Sequence, residues 1–256
     1  MFESYKNRLR KHPKFPQIQF LWRTFRHPLV GVLGYIYGAY LTLRYVDAYN
    51  KFPAIIFQDG LLRLHIRKNK QAKFAIADRL IVQPLGVTRV PCLFQLDDCA
   101  EISIIGEFTI GNNVRVVSSR KAVIEIGGRF KESASGISAN CLIMAYKKII
   151  IGRDVIIAWD TFITDSDWHL IGSGSHHEDT VIGDHVWIAV GVKILKGAVI
   201  GKGSVVGCSA VVSSGKYPIK SLLLGVPAKV VKSPIQEWKR DLPTSDSMIV
   251  GCEPDA

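Results

Sequence analysis

Between Ile163 and Ile182 the chain crowds together side chains that can hold and move protons: Asp165, Asp167, His169, His176, His177, Glu178 and Asp179, with His185 shortly after. An imidazole, whose ordinary pKa is about 6.5, can act as a general base near neutral pH. Four histidines are therefore rivals for that task. Zinc held by three histidines is the competing chemistry. All four, however, fall within one segment and the phrase that follows it, and the chain from Ile110 to Ile163 contains none. No cysteine lies in the segment to accept a group covalently, so a transfer run from it would be direct.

The segment interrupts a repeat that must position it. Ile182, Ile188, Ile194, Ile200, Val206 and Val212 stand six residues apart, and small or β-branched residues recur four positions after each: Val186, Val192, Ala198, Ser204 and Ala210. Helices repeat every 3.6 residues and strands every 2, so neither keeps one face buried at an interval of six. The period belongs to a coil of the chain, a parallel β-solenoid in which three six-residue sides complete a triangular rung with its aliphatic residues inward. Each fully buried Ile or Val contributes roughly 1.5–3 kcal/mol, which offsets the ordering entropy of strands too short to fold alone. Earlier phrases at Ile110–Val114, Ile126–Gly127 and Ile151–Val155 extend the pattern with irregular spacing, and from Ile55 to Leu96 the chain reads as a broken or widened start. A regular solenoid has no structural need for the 165–181 excursion, and loops on rigid scaffolds are where function concentrates.

With 256 residues, one main domain with flanking pieces is expected: an N-terminal helical segment over 1–54, the β-solenoid over 55–220 and an extension with a tail over 221–256. Five scattered cysteines without a CxxC pair indicate free thiols in a reducing compartment, the cytoplasm. A net charge of +11 suits a partner or substrate bearing phosphate or carboxylate groups. Nucleic acid is not expected, because the Lys and Arg are spread along the chain without zinc-ligand spacing, an RNP-like motif or a helix-turn-helix pattern.

Residues 1–28 are basic, with aromatic residues interleaved, and an apolar stretch from Pro28 to Leu43 follows. That stretch is short of the roughly 20 apolar residues of a membrane span. Two readings stay open: helices that cover the first rung, and peripheral attachment to an anionic membrane surface. At the other end, Ser233 and Pro234 suit the cap and first position of a short helix carrying Ile235, Trp238 and Lys239, and 243–256 reads as a loosely ordered tail.

The phrase VIGDHVWIAVGVKILKGAVIGKGSVVGCSAVV, followed by GVPAKVVK, resembles the bacterial hexapeptide-repeat acyltransferases, in particular the O-acetyltransferases that modify capsule, O-antigen and exopolysaccharide sugars. The resemblance covers about residues 100–232. It implies a left-handed parallel β-helix, a homotrimer with sites between subunits, and acetyl-CoA as acyl donor to a saccharide hydroxyl. If that acceptor is attached to a lipid carrier, the basic N-terminus gains a purpose. Residues 163–169, ITDSDWH, are similar to the segment carrying the family's catalytic histidine, which implies His169 as base and Asp165 or Asp167 as its orienting acid. Trp187 stands where the family frequently has Trp, closing the donor cleft or buried between subunits. The pantetheine arm would follow Ala189, Gly191, Gly207 and Ser209, and the phosphates and adenine would meet Ser213, Lys216, Lys229 and Lys232. The chain departs from the family at Ser214–Gly215, where a Lys-Asp pair is common, and Lys216 is the substitute. Other acceptors (an amino sugar, serine, an antibiotic), a γ-carbonic-anhydrase-like zinc site and a non-catalytic solenoid subunit are the alternatives.

Overall fold

The computed structural model describes residues 28–58, 63–85, 90–129, 134–170 and 172–240. Its strands fall into three sheets that the chain visits in turn. Sheet I has eight strands, from Ala48–Tyr49 to Gly215–Tyr217. Sheet II has nine, from Ile55–Phe57 to Lys229–Lys232, and sheet III has seven, from Leu64–Lys68 to Val211–Val212. Neighbours within a sheet pair in parallel, except that Lys229–Lys232 returns antiparallel on Leu222–Leu224. This is the triangular coil that the six-residue period demands.

Register converts the repeat into a core. In sheet I, Ile76, Ile104, Ile126, Ile151, Ile182 and Ile200 pair in succession. In sheet III the column runs Phe94, Val116, Ile143, Ile163, Ile194, Val212. All are at most 1% exposed. The buried Val186, Val192, Ala198, Ser204 and Ala210 fill the corners. After the inward Ile126, Ile151, Ile182 and Ile200 of sheet I stands a glycine, because the backbone of the next rung leaves no room for a side chain: a Cβ on Gly183 would lie 2.7 Å from Lys202 N.

Of the two readings of the solenoid's start, broken or widened, the structure shows the widened one. Every strand between Ile55 and Leu96 takes its place in a sheet. What varies is rung length. Ile76 pairs with Ile104, 28 residues on, whereas Ile182 pairs with Ile200, 18 on. Only the latter is three hexapeptides, so the period shows on the page only where the corners carry no insertion.

Helix α1 (Pro28–Tyr45) covers the first rung by packing on Ile55–Phe57. Gly38 allows the approach, since a Cβ there would lie 2.2 Å from Ile55 O. Thr42 Oγ1 accepts from the N–H groups of Ala54 and Ile55, capping the open strand end.

The expected C-terminal helix is absent among the described residues. Residues 233–240 instead run extended along the corner between sheets I and II. Ile235 N–H donates to Lys220 O (2.7 Å), the Trp238 ring stacks on His185 (4.1 Å between centroids), and Arg240 donates to the Asp154 carboxylate and carbonyl. Asp154 and His185 lie on adjacent rungs and Lys220 lies two rungs beyond His185, distances that two and three residues of extended chain span and a helix rising 1.5 Å per residue does not. Residues 1–27 and the 243–256 tail lie outside the described residues.

Candidate active site

The rung from Ile151 to Ile182 is 31 residues long, 13 more than three hexapeptides, and the excess is the loop between strand Phe162–Thr164 of sheet III and strand Thr180–Ile182 of sheet I. Its base is a short antiparallel ladder. Asp167 N–H donates to His176 O, Glu178 N–H donates to Asp165 O, and Ser166 bridges His177. The tip, with His169, projects from it.

Asp165 anchors the ladder. It is fully buried, and its carboxylate accepts three backbone N–H groups, Tyr146 (2.7 Å), Lys147 (2.7 Å) and Lys148 (2.6 Å). That corrects the expectation that Asp165 orients the His169 ring: both its oxygens face inward to the turn of the previous rung. Asp167 is exposed and forms an ion pair with Lys196, whose ammonium also donates to Ser175 O (2.7 Å). Glu178 accepts from Ser214 two rungs on (3.1 Å).

Trp168 precedes the histidine at φ 64°, a left-handed conformation uncommon for an aromatic residue. Three contacts hold it there: its N–H donates to Ser166 Oγ (3.0 Å), its indole N–H donates to Thr164 Oγ1 (3.3 Å), and its ring meets Tyr146 edge-on. His169 follows, exposed, on a backbone fixed from its N-terminal side.

The four histidines differ in what their ring nitrogens already do. Those of His176 are engaged with Ser166 Oγ (3.2 Å) and His177 Nδ1 (3.3 Å), and Tyr146 packs on the ring. His185 is engaged with Asp154 Oδ2 (2.5 Å) and Trp238 O (3.1 Å). His177 has one nitrogen taken, by His176. Neither nitrogen of His169 has a hydrogen-bond partner among the described residues. No group of three or more His, Cys, Asp or Glu among those residues is placed to hold a metal ion.

The remaining candidates are distributed over the prism. Ala189, Gly191, Gly207 and Ser209 stack on the corner between sheets II and III. A Cβ on Gly191 would approach Ser209 Oγ to 3.2 Å, and the Gly225–Ala228 turn is bonded to Val211 above them. Their four N–H groups all donate within the solenoid, so an extended ligand on this column would meet carbonyls and surface rather than free donors. Lys229 and Lys232 are exposed on the last strand of sheet II. Ser213 and Lys216 do not join them. They lie at the corner between sheets III and I and on sheet I, the loop side, so within one subunit the four do not form a single cluster. Trp187 faces outward from sheet II, 41% exposed, with its ring 6.1 Å from that of Trp238.

Sequence reasoning missed Tyr146, Ser166 and His176 as supports of the loop, and Trp238 and Arg240 as partners of the solenoid. Arg240 meets Asp154 across 86 residues, a pairing for which no local pattern exists.

The Bacterial transferase hexapeptide (six repeats) family matches residues 179–214. Over 178 residues the chain is 30% identical to the "Putative lipopolysaccharide biosynthesis O-acetyl transferase WbbJ" of Escherichia coli (strain K12), an alignment covering 63% of this chain and 85% of that protein. Among solved structures, the polySia specific acetyltransferase NeuO is 20% identical (TM-score 0.43; 77% of this chain and 82% of that one). The polysialic acid O-acetyltransferase OatWY is 22% identical (TM-score 0.41; 77% and 93%). With the repeat in register on three parallel sheets and a relative matched over most of its length, the chain belongs to the bacterial hexapeptide-repeat acyltransferases of the polysaccharide O-acetyltransferase type, built on a left-handed parallel β-helix.

Proposed function

We propose that this protein is an acetyl-CoA-dependent O-acetyltransferase acting on a sugar hydroxyl of a surface polysaccharide or its lipid-linked precursor, as a cytoplasmic homotrimer in peripheral contact with the membrane. The observation that carries the assignment is the contrast among the histidines. His176 and His185 are committed on both ring nitrogens, whereas His169 presents both, on a loop tip whose base is pinned by Asp165.

In this reading a ring nitrogen of His169 takes the proton of the acceptor hydroxyl as its oxygen attacks the thioester carbonyl. The tetrahedral intermediate collapses with loss of the CoA sulfur, which recovers the proton from the imidazolium. Asp167, held by Lys196, is the remaining carboxylate near the tip. Ala189, Gly191, Gly207 and Ser209 form the column along which the pantetheine arm lies, and Lys229 and Lys232 meet the phosphates. Ser213 and Lys216 contribute from the loop side, and Trp187 closes the cleft. The loop and the donor column occupy different corners of one prism, so a site using both takes the loop of one subunit and the column of another. That requirement supports the trimer, and the relative named for lipopolysaccharide O-acetylation supports a saccharide hydroxyl as acceptor.

The test combines binding with turnover. His169→Ala is expected to lower kcat by at least about a hundredfold with acetyl-CoA affinity unchanged, whereas Lys229→Ala weakens acetyl-CoA binding. Release of the transferred acetyl group by alkaline hydroxylamine, which leaves an amide intact, identifies an ester and separates a hydroxyl from an amine acceptor. Wild-type turnover in His169→Ala, with loss in His177→Ala, would move the base to His177.

A further inference from the structure

Helix α1 is apolar on two opposite faces. One face, with Gly38, Leu41 and Thr42, is buried on the first rung. The other carries Leu29, Val32, Leu33, Ile36, Tyr40 and Leu43, which at 100° per residue fall within an arc of roughly 100°, and each is more than half exposed. A helix covering a solenoid end normally turns a charged face to water. Here the only charged residue in α1 is Arg44, in its last turn. Tyr49 and Phe52 extend the exposed apolar surface beyond the helix.

We infer that this outward stripe is a membrane-binding surface, and that α1 lies in the plane of an anionic bilayer with the stripe among the acyl chains and the solenoid standing off it. The inference rests on the membrane part of the proposed function and is independent of the acyl transfer. Two observations select lipid as the occupant. Residues 1–27, which lead directly into α1, carry seven Lys and Arg against the single acid Glu3, a complement for anionic headgroups adjoining the apolar stripe. Leu41, Gly38 and Thr42 are already covered by protein, so only one side of the helix is offered to lipid, as in-plane binding requires and spanning does not. No described helix is long and apolar enough to cross a membrane. An in-plane helix at the end of the solenoid would bring the rungs, and the loop they carry, to a lipid-linked acceptor.

The test is co-sedimentation of the full chain with phosphatidylcholine vesicles with and without phosphatidylglycerol, comparing wild type with Leu33→Glu/Ile36→Glu and Leu29→Glu/Leu43→Glu. All four positions are exposed, so both variants are expected to melt and bind acetyl-CoA as wild type does. Wild type should partition onto the anionic vesicles, and each variant should partition at least about tenfold more weakly, because charge is driven into the acyl region. The inference is overturned if wild type does not bind anionic vesicles, or if the variants bind them equally well. It is also overturned if the substitutions dissociate the oligomer without changing vesicle binding, which would make the stripe a contact between copies. Loss of acetyl-CoA binding in wild type would count against the acyltransferase reading and leave the vesicle result standing.

Discussion

Replacing Asp165 separates a structural anchor from a catalytic acid. Oδ2 accepts from Lys147 and Lys148 and Oδ1 from Tyr146, all at 2.6–2.7 Å in a site closed to water. In Asp165→Asn the better amide orientation keeps its oxygen at the two-donor position and sets an NH2 group against the Tyr146 N–H. One charge-assisted bond is lost, worth about 1.5–3 kcal/mol, and a buried donor is left unsatisfied at about 1–3 kcal/mol more. The two remaining bonds weaken with the loss of charge. A local destabilisation of about 3–5 kcal/mol follows, which corresponds to roughly a hundredfold or greater gain in opening of the 146–148 turn. Hydrogen exchange resolved to Tyr146, Lys147 and Lys148 reads this directly, and limited proteolysis of the 168–175 tip should accelerate in parallel. Turnover should fall because His169 loses its support, while acetyl-CoA binding on the other corner persists. Unchanged protection of the three amides in a variant that has lost turnover would refute the reasoning and return Asp165 to a role at the imidazole.

Other perturbations probe the rest of the architecture. Arg240→Ala removes three hydrogen bonds to Asp154 and should free the 233–240 strap at a local cost of about 2–4 kcal/mol, seen as faster proteolysis there and altered Trp238 fluorescence. A cleavage rate equal to wild type would show that Trp238 and the Ile235 hydrogen bond hold the strap without Arg240. Burial pushes the Cys92 and Cys141 thiols up to about 11 from 9.0. Their folded values lie above the unfolded ones, so the unfolded chain ionises first and stability is lost as pH rises from about 9 to about 11, by roughly 3 kcal/mol per thiol at most. Cys92→Ser/Cys141→Ser should flatten the fall in denaturation midpoint over that window, and an unaltered slope would assign the loss to other groups.

The sequence alone determined the solenoid. An inward aliphatic residue every sixth position is a local, repeated signal, and each rung buries it in the same way, so Ile182 to Val212 announced the coil without any knowledge of distant contacts. It also marked the loop, because a 13-residue excess stands out against a strict period. Where corners carry insertions, as from Ile55 to Leu96, the same register exists but the period is hidden by rungs of unequal length. The tertiary structure decided what repetition cannot encode. Asp165 and His169 stand four residues apart in the chain, yet one side chain turns into the core and the other into solvent, because the amides of Tyr146, Lys147 and Lys148 arrive from the previous rung. The Ser233–Pro234 signal for a helix was overridden by Trp238 and Arg240, whose partners His185 and Asp154 are brought one rung apart by the coil. Which histidine remains open, and that α1 keeps an apolar face outward, likewise depend on partners remote in sequence, since burial and hydrogen bonding are settled by the neighbours that folding supplies.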